Sequence, residues 1–272
     1  MLRGKIAVIF FGQPRYISSK LASKSHKWWL RKCDVDYFGH CWFHSSISIY
    51  RPAHWTGLEH VNVPMDTPEL ILKQYPGCDI KFEKPVSFDL NLYRKYFEFQ
   101  PGEILSDKLT DQIKGLEATL SQSLSIHRAF EHFTSVADVE AYDFIILSRY
   151  DNFIWKMKRP EFLPKDKLNL SNHHPGFPDL IFIGSWRLIS SLDSWPNLHI
   201  LLKNNRNFSS ENLKKESFKM LNTEDDLNAI FSDIAIIRGT GLRYNCIKLV
   251  GYRLRRVFQI RTRLNLLFKC RK

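Results

Sequence analysis

An α/β fold built on a mainly parallel sheet flanked by helices is what this sequence predicts. Three observations carry the prediction. The segment KIAVIFFG (5–12) is a continuous apolar run closed by Gly12 and Pro14, the pattern of a strand buried on both faces of a parallel sheet. Apolar or mixed short segments then alternate with amphipathic ones through the first 150 residues, which implies crossover units. The chain also has 272 residues, 44% of them hydrophobic. That is enough for one large domain or a domain with an appendage.

The elements follow in order. After the first strand, YISSKLASKSHKWWLRK has helical spacing at Ile17, Leu21 and Trp28. DVDYFGHCW (34–42) is predicted as a second strand, and 44–66 as irregular. DTPELILKQY carries a helix start, with Asp66 or Thr67 as the cap and Pro68 at the first turn; Pro76 and Gly77 stop it. CDIKFEKP (78–85) is predicted as a third strand and 86–103 as loop. A long helix over about 106–133 places Leu109, Ile113, Leu116, Leu120, Leu124 and His127 on one stripe. YDFIILSRYDNFI (142–154) is predicted as the fourth strand, and PDLIFIGS (178–185) as another, with a helix from SWRLISSL behind it. TEDDLNAIFSDIAI (223–236) is predicted as a helix capped by Thr223, with acids in its first turn that suit the helix dipole.

Composition excludes several classes. No low-complexity tract or fixed-period repeat is present. The cysteines (Cys33, Cys41, Cys78, Cys246, Cys270) are scattered and odd in number, with no CxxC pair. That argues against a disulfide framework and a zinc site, and for a reducing compartment. Ile6–Phe11 is too short for a signal segment, and no apolar run reaches a span of about 18 residues. A cytoplasmic location is therefore expected.

Of the net charge of +12, eleven positive charges lie after Asp233 with no acid among them, which leaves +1 for residues 1–233. The division expected is a domain over 1–241 and a basic tail over 242–272. In that tail Val250, Val257, Ile260, Leu264 and Leu267 form a helical stripe edged by arginines. A basic amphipathic helix fits an anionic membrane surface, which would hold the protein at the inner face of the plasma membrane; a solvated terminal helix packed on the domain is the plainer alternative. No nucleic-acid motif is present, so no nucleic-acid partner is expected.

In parallel sheets ligands sit at the carboxyl ends of the strands. Gly12–Arg15, His40–Trp42 and Arg149–Asp151 fall at such ends, so they are expected to share a cleft. Gly12 permits a sharp turn and a close approach to a ligand. Gln13 lies in the same FGQPRY turn, and Arg15 offers a planar fork suited to phosphate. The stretch is not a P-loop, since no GK[ST] follows. Asp151 could hold a divalent ion that bridges to a diphosphate, and Arg149 could add to that charge or replace part of it. The plainer alternative is an Arg–Asp pair that closes the strand end. One acid of TEDD could project into the cleft as a general base, although acids there also serve the helix dipole. His173 and His174 lie in a predicted loop, and Trp42 and Trp186 are the tryptophans nearest the expected cleft.

Together KIAVIFFGQPRYI, DVDYFGHCW, YDFIILSRYDNFI and PDLIFIGS resemble a GT-A type nucleotide-sugar glycosyltransferase with a Rossmann-type sheet. They are similar to glycosyltransferase-like proteins of bacterial surface-polysaccharide clusters and large viruses, and their order is similar to that of inverting galactosyltransferase and fringe-like families. The resemblance spans about residues 4–237, with only the four short motifs specific. It implies that Asp151 matches the last acid of a DxD motif and so binds the metal, Mn or Mg. Gly12, Gln13, Arg15, Arg149 and Asp151 would hold the nucleotide-sugar donor. Gly184 and Ser185 would lie on the acceptor side, and Asp225 or Glu224 would be the catalytic base. The acceptor would be a glycan or a lipid-linked molecule. Arg149 stands where the first acid of DxD belongs, which leaves metal dependence open. The rival expectations are another nucleotide-dependent transferase, such as a sulfotransferase, and an inert membrane-docked binding module.

Overall fold

The computed structural model describes residues 4–47, 49–50, 61–96, 107–171, 180–204, 209–230 and 232–236. Its frame is a seven-stranded sheet. β1 (Lys5–Phe11), β2 (Asp34–Trp42) and β5 (Asp79–Glu83) are parallel neighbours, and β6 (Phe144–Arg149) lies on the other side of β1, also parallel. β9 (Ile181–Gly184) runs antiparallel to β6 and to β8 (Leu168–Ser171), and β10 (Leu227–Ile230) lies parallel to β8 at the edge. Only β9 therefore opposes the common direction, and the mainly parallel sheet expected from the sequence is present. The short pairs β3 (Ile49–Tyr50) with β4 (Val61–Asn62), and β7 (Asn152–Met157) with β11 (Ser232–Ile236), stand apart from it.

The apolar run of β1 is buried on both sides, as its sequence requires. Ile6, Val8 and Phe10 face a layer formed by α1 (Leu21–Trp29), α2 (Thr67–Gln74) and the β7–β11 pair. Ala7, Ile9 and Phe11 face α3 (Asp107–Val136), α4 (Trp186–Ser190) and α6 (Ser210–Leu221). Each fully buried Ile or Phe contributes roughly 1.5–3 kcal/mol. The α3 stripe is buried at Leu116, Leu120 and Leu124 as expected, with α5 (Leu198–Asn204) packed beside its outer half. The side chains of Leu109 and Ile113 lie outside the described residues. His127 on that stripe is partnered by Asp193 at 2.8 Å and Glu131 at 3.3 Å.

Three expectations need correction. Residues 223–236 do not form a helix. A single 3-10 turn at Glu224–Asp226 leads into β10 and then β11. The acids and the Thr223 cap are a true start signal, because the Thr223 N–H and hydroxyl both donate to Asp226. The alternating LNAI and SDIAI segments are nevertheless claimed by strand partners, Leu168–Ser171 and Asn152–Met157. The segment 142–154 is not one strand. It breaks at Tyr150–Asp151, and β7 leaves the main sheet to pack on α1, where the Ile154 N–H donates to the buried Ser25 Oγ. Part of the expected loop 86–103 is a 3-10 helix at Leu90–Tyr96.

Among the described residues no helix is long and apolar enough to cross a membrane. Among the described residues Cys33, Cys41 and Cys78 form no disulfide. The basic tail, His173, His174, Cys246 and Cys270 lie outside the described residues.

Candidate functional site

The chain enters the sheet at β1, extends to one side through β2 and β5, then returns to the other side of β1 at β6. The seam between β1 and β6 is thus where strand order reverses. Crevices outside the carboxyl ends at such a reversal are the natural ligand sites of open α/β sheets. In the register Phe11 stands opposite Arg149. Gly12–Arg15 and Arg149–Asp151 therefore leave the sheet side by side at that seam.

Gly12 takes φ 91, a left-handed conformation that favours glycine, and starts the turn. Tyr16 follows in the left-handed region at φ 58, which costs a non-glycine residue about 1–2 kcal/mol. Such strain often gathers at ligand sites. Arg15 is folded back on its own turn, with Nε at 3.0 Å and Nη2 at 2.9 Å donating to Gln13 Oε1. Across the seam Arg149 donates in the same two-pronged manner to Asp151, Nε to Oδ1 and Nη2 to Oδ2, both at 2.8 Å. The Asp151 side chain is 2% exposed and that of Arg149 19%. Asp151 is thus buried, and Arg149 is the more exposed member of the pair. The plainer alternative of a closed ion pair is present in full, and it fixes the Arg149 guanidinium at the end of β6.

A relay supports the Gly12 turn from below. The Gly12 N–H donates to Ser125 Oγ at 2.7 Å. Ser125 Oγ lies 2.8 Å from His40 Nδ1, and His40 Nε2 lies 3.2 Å from Glu83 Oε2. Burial lowers the His40 pKa to about 4, against the opposing pull of Glu83, so the ring is neutral at pH 7. A neutral imidazole carries one N–H, and the Glu83 carboxylate only accepts. The proton therefore sits on Nε2, and the Ser125 hydroxyl donates to Nδ1. Burial works to raise the pKa of Glu83, but Lys81 at 2.6 Å and His40 outweigh it and hold it low. The relay runs from a half-buried acid at the end of β5, through β2 and α3, to the turn after β1.

Sequence reasoning named His40 only as a strand end and missed Ser125 and Glu83. The signal for Ser125 was available: Ser123 and Ser125 are hydroxyls inside the apolar stripe of α3, and both are buried. Trp42, expected near the cleft, is a core residue that donates to the Ser121 carbonyl at 3.2 Å. Trp186 packs edge-on against Phe130 at 5.3 Å.

The remaining expected residues are not brought to this seam. Leu227 pairs with Leu168, and the β8–β9–β6 registers carry that level to Ile145 and Gly184. Glu224 and Asp225 precede Leu227, so they lie at the amino edge of the sheet. Arg149 is six residues further along, on the order of 20 Å by strand rise, and three strands across. Asp225 is exposed, and its carbonyl accepts from Lys167; the Glu224 side chain lies outside the described residues. Gly184 also ends its antiparallel strand at the amino edge. A Cβ there would meet Leu188 at 3.4 Å, so the glycine permits close packing of the following helix. Ser185 is the cap position of α4.

Asp151 was also the expected metal ligand. Both of its oxygens receive the Arg149 guanidinium, and among the described residues no group of three His, Cys, Asp or Glu side chains could hold an ion. The donor set does not fit a resident divalent cation, because an ion on Asp151 would first have to displace a bidentate guanidinium.

No protein-family model matches the chain, and no curated protein matches it. Among solved structures it is similar to mouse xyloside xylosyltransferase 1 in its apo form. The overlay covers 87% of this chain and 85% of that one, at 13% identity and a TM-score of 0.34. A likeness that loose carries no argument for fold or function.

Proposed function

We propose that the protein is a glycosyltransferase whose nucleotide-sugar donor lies with its diphosphate across the β1–β6 seam. The observation that carries this is the juxtaposition of the Gly12–Arg15 turn with the guanidinium of Arg149 at the point of strand reversal. Arg149 and Arg15 would take the charge that develops on the departing diphosphate. Asp151 would hold the Arg149 fork in place, and no step requires a metal ion. Glycosyl transfer, rather than another phosphate chemistry, is supported by the resemblance of the four sequence motifs. That resemblance also implies a hexosyl group, inversion at the anomeric carbon and a glycan or lipid-linked acceptor of surface-polysaccharide type. The amino-edge position of Asp225 and Glu224 counts against their role as the base, so the reading leaves them out of the chemistry.

The test is to titrate UDP-, GDP-, dTDP- and CMP-sugars by thermal shift, with Mn²⁺ and with EDTA. The expected result is stabilisation by one donor class that survives EDTA and is lost in Arg149→Ala. Stabilisation by 3′-phosphoadenosine-5′-phosphosulfate alone would move the assignment to sulfate transfer.

A further inference from the structure

A second surface stands out, on the layer that covers one face of the sheet. In that layer α1 and β7 lie side by side: Ser25 accepts from the Ile154 N–H at 3.1 Å, and Trp29 Nε1 donates to the Lys158 carbonyl at 3.3 Å. Their inner residues, Ala22, Trp29, Ile154 and Met157, belong to one core. Their outer residues are of another kind. Residues 20–32 hold five lysines and arginines and no acid, and residues 152–160 hold three and no acid. Lys24 and Lys27 on α1, Arg31 in the turn just after it, and Lys156 and Lys158 on the β7 side are exposed.

Large aromatic rings stand among these charges. Trp28 is 55% exposed, Trp155 39% and Phe162 57%. Two of them carry a guanidinium on the ring: Arg31 lies 4.8 Å from the Trp28 centroid, and Arg159 lies 5.1 Å from that of Phe162. The nearby Glu161 is bound to Arg159 at 3.1 Å. Singly exposed rings are ordinary on a protein surface. Aromatic rings held beside cations, however, match the headgroup level of a bilayer, where the ring settles among glycerol and carbonyl groups and the cation meets phosphate.

We infer that the outer face of α1 and β7 is a docking surface for an anionic phospholipid bilayer. The charge complementarity is local to the folded domain and draws on no residue of the basic tail. It does not depend on glycosyl transfer. α1 follows the Arg15 turn in the chain and β7 follows Asp151, so the docking face and the β1–β6 seam are linked through two short segments.

The test uses the full chain, so that the tail is the same in every protein. Co-sedimentation with vesicles of phosphatidylglycerol and phosphatidylcholine should show binding, with little binding to phosphatidylcholine alone. Reversing three charges, Lys24→Glu, Lys27→Glu and Arg31→Glu together, should lower partitioning at least about tenfold. Lys156→Glu with Lys158→Glu should act in the same direction, as a second variant whose folding is checked independently. Trp28→Ala with Phe162→Ala should weaken binding several-fold and reduce the blue shift of tryptophan emission on acidic vesicles. Binding to acidic vesicles unchanged in all three variants overturns the inference. So does loss of binding to a 20-nucleotide single-stranded RNA in the charge variants while vesicle binding persists.

Discussion

Ser125 is placed so that two polar groups depend on one hydroxyl. It accepts from the Gly12 N–H and donates to His40. Ser125→Ala leaves a backbone donor and a ring nitrogen without partners in the interior, a cost of roughly 1–3 kcal/mol. Urea midpoints should fall accordingly, and nucleotide affinity should weaken several-fold as the turn loses its support. His40 and His26 give a pH signature. Burial holds both at about 4, below the 6.5 of an exposed ring. Between those values the unfolded chain binds protons that the folded one does not, so stability is full above about pH 6.5 and falls toward pH 4. By pH 5 each ring costs about 2 kcal/mol. Denaturant titrations at pH 7.5 and 5.0 should show that loss, and His40→Gln should remove about half of it.

At the scale of elements, the parallel core was readable because each of its strands is defined by its own composition. KIAVIFF is apolar on both faces whatever lies beside it, and FIILSR is bounded by the charges that end it. The segment 223–236 was not readable, because a helical start and a strand pattern coexist there and only distant partners decide between them. The same holds for the site. The Gly12 turn and the Arg149–Asp151 pair follow from strand ends, whereas Ser125 joins them through a contact 113 residues away. Whether Asp225 faces the cleft turned on strand direction, which no local pattern encodes. The prediction at this scale separates the two edges. Asp225→Asn should leave transfer within about threefold of wild type, while Arg149→Ala should lower it at least about 100-fold. Initial rates with the donor found by thermal shift check both.

For the molecule as a whole, the sheet separates one edge rich in cationic turns from another whose glycine and acids serve packing and strand entry. Function is assigned to the first edge by topology together with charge. The same two turns lead directly into α1 and β7, so the cationic outer layer and the seam are products of one arrangement of the chain. The most direct test is hydrogen–deuterium exchange with and without a saturating nucleoside diphosphate, followed by mass spectrometry. Protection confined to residues 12–16 and 148–152, and unchanged in EDTA, is the expected result. Protection at 184–188 and 223–228 instead, with none at the β1–β6 seam, would contradict the account.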